Sequence, residues 1–159
     1  MGSSTTPDAR AAPERSLDRF VVAQDGGVLE RALLEVRAGR KTSHWMWFVY
    51  PQLRGLGRSE ISRFYGIESL AQAREYLAHP VLGPRLREAA EAAVSAPPGV
   101  TAEAIFRPID AMKLRSSMTL FSLADTAQPV FRQVLERFYA GEPDPETVRL
   151  LREDEQPAG

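Results

Sequence analysis

The chain has 159 residues, 43% hydrophobic and 26% charged, as suits one globular domain large enough to fold alone. Its 20 basic and 21 acidic residues leave a formal charge of −1, without the basic excess of a general nucleic-acid or anionic-membrane binder. The absence of cysteine removes disulfides, thiolate metal sites and cysteine nucleophiles, and two histidines, His44 and His79, are too few for a multi-histidine metal centre. No cofactor motif is complete. No apolar run reaches the ~18–20 residues needed to cross a bilayer. The first residues carry no basic-then-apolar signal pattern, and a cytoplasmic protein is expected.

Residues 1–15 are Ser, Thr, Pro and Ala with scattered charge, and read as a flexible tail. The folded domain is expected over 16–152, followed by a polar tail, 153–159. Ser16 suits the cap of a short helix bearing Leu17, Phe20 and Val21, broken by Gly26-Gly27. Val28, Leu29, Ala32, Leu33 and Val36 then form a helical apolar stripe. Glu30, Arg31, Glu35 and Arg37 take its opposite face, and Gly39 suits a left-handed end.

Ser43 to Gln52 holds both tryptophans, a Phe and a Tyr. It reads as a buried helix capped by Ser43 and stopped by Pro51, with a buried strand as the competing reading. Gly55 and Gly57 mark a turn. Ser59 caps a short helix with Ile61, Phe64 and Tyr65 apolar. Ser69 and Gln72 have capping-box spacing for a helix to about Ala78. A helix carrying Leu82, Leu86, Ala89, Ala90, Ala93 and Val94 ends before Pro97-Pro98-Gly99. Thr101 caps one further turn, and Pro108 opens a long element to about Ala124. Pro129 opens a helix closed by Gly141, and Asp144-Pro145 starts the last one, with Val148 and Leu151. Strand patterns are nearly absent. The expected fold is all-α, a compact single-domain bundle of about seven to nine short helices.

On a wheel of ~100° per residue, Ala111, Leu114, Met118 and Phe121 form one apolar face of the 109–124 helix. Ile109, Met112, Leu120 and Leu123 form a second, with Ser116 inside it. Asp110, Lys113 and Ser117 share a narrow polar strip between the two. That strip is either a solvated stripe with a weak ion pair or the lining of a pocket in which Lys113 meets an anion. A serine–lysine nucleophile pair has the spacing but no oxyanion hole or nucleophile elbow. Trp45 and Trp47 are either core or a stacking wall for a ring, with His44 and Gln52 as polar contacts. His44 and Asp110 are the candidate proton carriers. Arg54 and Arg58, beside Gly55 and Gly57, form either a tight turn or an anion-binding loop.

Four segments carry a resemblance to a known family. They are Asp18-Arg19-Phe20 with Ala23-Gln24, the run from Ser43 to Ser59, Tyr65-Gly66-Ile67 with Ala78 to Gly83, and Ile109-Asp110 with Lys113 to Phe121. The chain resembles domain of unknown function 1810 over about Asp18 to Leu151, and the resemblance implies a compact helical domain. Some members carry the label calpastatin. An inhibitor of that kind is a disordered chain that folds on its target, whereas this sequence has periodic apolar stripes and caps. The Trp, Lys and Ser/Met pattern is also faintly similar to the YbiA-like group, which implies NAD or ADP-ribose derivatives only by fold-level analogy.

Two functional readings stand. One is a pocket for a small anionic, ring-bearing ligand, a nucleotide or ADP-ribose derivative, held by His44, Trp45, Trp47, Gln52, Arg54, Lys113, Ser116 and Ser117. Hydrolysis or glycosidic cleavage is the chemistry it would favour. The other is a non-enzymatic protein-interaction or regulatory domain.

Overall fold

The computed structural model describes residues 16–155. The expected tail at 1–15 and positions 156–159 of the expected polar tail lie outside them. Among the described residues there are nine helices and no strand. They are α1 (Asp18–Gln24), α2 (Val28–Arg37), α3 (Met46–Val49), α4 (Glu60–Phe64), α5 (Leu70–Ala78), α6 (Leu82–Val94), α7 (Ala102–Ala124), α8 (Pro129–Tyr139) and α9 (Pro145–Glu155). None is long and apolar enough to cross a membrane. The fold is all-α, as its periodicities require.

Local signals set most of the boundaries. The hydroxyls of Ser59, Ser69 and Thr101 each accept a backbone N–H in the first turn of α4, α5 and α7. Gly39 ends α2 in a left-handed conformation with φ 81°. The long helix α7 is crossed by α5, α8 and α9, and its buried residues Leu114, Met118 and Phe121 centre the core. Arg137 of α8 donates to the carbonyls of Ala96 and Pro97, at 2.6 Å each, and so ties α8 to the chain leaving α6.

Several expectations change. The aromatic helix is only the four residues of α3, and Ser43 does not cap it. Its hydroxyl donates instead to Glu35, which lies on the supposed solvent face of α2 yet is buried. Of the second apolar face of α7, Leu120 is buried, but Ile109 and Met112 are 72% and 69% exposed. Thr119 is fully buried, and its hydroxyl accepts the Asp144 N–H at the start of α9. Ile61, one of the apolar residues of α4, is exposed. Helix α9 runs through Glu155, so the polar run begins inside it.

Candidate functional site

The site forms where α7 breaks. Proline at 108 disfavours helical backbone at the residue before it and supplies no N–H. Arg107 accordingly leaves the helix, with φ 69° and ψ 161°. That region is open to glycine almost alone and costs about 1–3 kcal/mol for other residues. The break leaves the Ile105 carbonyl without its helical partner. The backbone N–H of Lys41 takes that place at 2.8 Å and pins the loop after α2 against the break.

An open groove of about 780 Å³ lies between the two segments. Lys41, Thr42, Ser43 and His44 line one side of it, and the run from Phe106 to Asp110 lines the other. Asp110 is the electrostatic centre. Its Oδ2 is 3.0 Å from Lys41 Nζ and its Oδ1 is 3.0 Å from Lys113 Nζ. The three side chains are only 10%, 19% and 16% exposed for Lys41, Asp110 and Lys113, so solvent screens them poorly. Burial pushes the Asp110 carboxyl up, but the hydrogen bonds and charges of the two lysines outweigh it and hold the group below its ordinary value. Two cations thus share one carboxylate, and Arg107 and His44 lie exposed at the rim.

The tryptophans divide between two tasks. Trp45 is buried and packs edge-on to Phe106, with ring centroids 6.4 Å apart, beneath the groove. It is therefore core rather than an open stacking wall. Trp47 is half-buried, and Lys113 Nζ lies 3.6 Å from its ring centroid. The positive charge over the ring face steadies the lysine as it reaches Asp110.

His44 and Asp110 line the groove, while Lys113 and Trp47 stand behind its lining and join it through the Lys113–Asp110 ion pair. Ser117 is fully buried on the same helix strip, and its hydroxyl meets no hydrogen-bond partner among the described residues. Three other predicted residues sit elsewhere. Ser116 donates to the Met112 carbonyl and to Asp144 at the start of α9. The Gln52 carbonyl and the Arg54 N–H pair with the backbone of Ile67. Arg54 also reaches Glu68 at 3.9 Å, in a separate cleft of about 200 Å³ beside Leu150 and Asp154.

Three participants were missed: Lys41, Glu35 and Arg107. Lys41 looked like an ordinary loop cation. The one available signal was Gly39, whose left-handed turn sends the loop back over the helix it follows.

The model of the family described as "Protein of unknown function (DUF1810)" matches residues 14–151. The chain belongs to the DUF1810 family. The crystal structure of the conserved hypothetical protein Rv1873 from Mycobacterium tuberculosis superposes on it with a TM-score of 0.82. The two are 49% identical over 86% of this chain and 96% of that one. No curated protein matches the chain. This member of the DUF1810 family is thus an all-helical frame among its described residues.

Proposed function

We propose that the groove between 41–44 and 106–110 binds a small anionic, ring-bearing molecule, a nucleotide or an ADP-ribose derivative. The observation that carries this reading is Asp110 held between Lys41 and Lys113. Two ammonium groups against one carboxylate leave a net positive corner of low accessibility, which favours a phosphate. The free lone pairs of Asp110 suit a donor such as a sugar hydroxyl on the same ligand. Pro108 and the exposed Ile109 offer an apolar wall for the ring. Mostly apolar grooves with a few convergent polar groups are the usual form of small-molecule sites.

The same features favour binding over hydrolysis. Asp110 is kept ionised and so makes a poor general acid. His44 has no hydrogen-bonded partner to orient it among the described residues, unlike the base of a catalytic triad. A hydrolase or glycosidase reading would have to rest on those two residues. The alternative of a protein-interaction domain draws on Ile109 and Met112, adjacent exposed apolar residues on α7.

Thermal-shift and calorimetric titrations with phosphate, AMP, ADP and ADP-ribose test the proposal. Saturable binding that is lost in Lys113→Ala and in Lys41→Ala supports it. Silence across the panel, or binding that neither substitution changes, removes it. Retention of a protein partner that is lost on Ile109→Glu would favour the alternative.

A further inference from the structure

One carboxylate outside the groove organises the loop that forms its rim. Glu35 Oε1 accepts the backbone N–H groups of Thr42 and Ser43 at 2.8 and 3.1 Å, and the indole N–H of Trp45 at 2.9 Å. Its Oε2 accepts the Ser43 hydroxyl at 2.6 Å. These donors flank His44 and directly follow Lys41. They are also spent on Glu35, so the N–H groups of Thr42 and Ser43 are not offered to an anion. The contacts left for a ligand on this side are side chains, and where those side chains stand depends on the loop.

We infer that Glu35 is a positioning residue for the groove, fixing the 42–45 loop so that Lys41 reaches Asp110 and His44 lines the opposite wall. The inference rests on the proposed ligand site but assigns a role to a residue that touches no ligand. Its physical basis is preorganisation. A rim already held in its bound form spares the ordering cost of association.

Three substitutions separate geometry from charge. Glu35→Gln keeps an acceptor where three of the donors converge, and its amide can donate to the Ser43 hydroxyl, so the loop keeps its shape without the charge. Glu35→Asp keeps the charge and loses reach. Glu35→Ala loses both. Val134→Ala, in the core of α8, serves as a destabilised control away from the loop.

The experiment is calorimetric titration of AMP into each full-length protein, at a temperature where circular dichroism shows it folded. The expected dissociation constant rises about tenfold in Glu35→Ala and about fivefold in Glu35→Asp, and stays within about twofold of wild type in Glu35→Gln and Val134→Ala. If Glu35→Ala does not fold, the contrast between Asp and Gln decides alone. Wild-type affinity in Glu35→Ala or Glu35→Asp overturns the positioning role and leaves the ligand site standing. Equal losses in Gln and Asp overturn it in favour of a charge effect. A wild-type protein that does not bind AMP removes the site and this role together.

Discussion

The ammonium of Lys113 lies 3.6 Å from the centroid of the Trp47 ring, on the one helix face that also carries Asp110. Both partners are half-buried, so the contact is partly desolvated. A double-mutant cycle of Lys113→Met and Trp47→Leu, followed by urea unfolding, isolates it from the separate bond to Asp110. The expected coupling is about 1 kcal/mol. Additive losses would mean that the ring does nothing for the lysine.

Arg107 carries a backbone conformation that its side chain disfavours. Arg107→Gly relieves that strain and gives back part of the gain as unfolded-state entropy, for a net stabilisation of about 1 kcal/mol. Arg107→Ala keeps the strain and stays within about 0.5 kcal/mol of wild type. Both remove a rim cation and weaken AMP binding alike. Chemical denaturation and titration of the two variants check this. A Gly variant less stable than the Ala variant would contradict the strain.

Glu35 sets an acid limb. Burial raises its carboxyl, but hydrogen bonds from Ser43, Thr42 and Trp45 outweigh burial and hold it at about 2, against an ordinary 4.5. A folded-state value below the unfolded one stabilises the fold above pH 4.5, and that stability drains away as the pH falls toward 2. The amount is about 3 kcal/mol. Asp110, also lowered by its two lysines, acts in the same direction. Unfolding free energies between pH 7 and pH 2 should therefore fall for wild type and fall less for Glu35→Gln. Parallel curves would rule out the linkage.

Gly83 has a purely structural duty. A Cβ there would lie 2.2 Å from the Leu77 carbonyl oxygen, where α5 passes into α6. The obstacle is backbone and cannot swing aside. Gly83→Ala should cost roughly 2–4 kcal/mol in thermal or urea unfolding. A variant as stable as wild type would mean that the corner is looser than its geometry implies.

The fold was legible because its signals are local. Ser59, Ser69, Thr101, Gly39 and Pro108 each mark a boundary through a cap, a turn or a missing N–H, and the helix periods did the rest. The strip of Asp110, Lys113 and Ser117 could be read for the same reason, since it follows from spacing on one helix. What covers that strip could not. Glu35 sits opposite the apolar stripe of α2, and only the returning loop buries it. Ser43 has the local look of a cap, yet a carboxylate eight residues earlier claims its hydroxyl. Ile109 and Met112 match the apolar period and still face solvent, uncovered among the described residues. Gln52 and Arg54 lie close to the tryptophans in sequence, but both pair with the backbone of Ile67, and Arg54 lines another cleft.

The central claim is that an anionic ligand sits between the 41–44 loop and the broken end of α7. A proton–nitrogen correlation titration of the labelled protein with AMP tests it most directly. Saturable shifts concentrated in the amides of 41–44 and 106–110 are the predicted result. A spectrum that does not move, or shifts confined to the separate cleft around Arg54, Glu68 and Leu150, would contradict it.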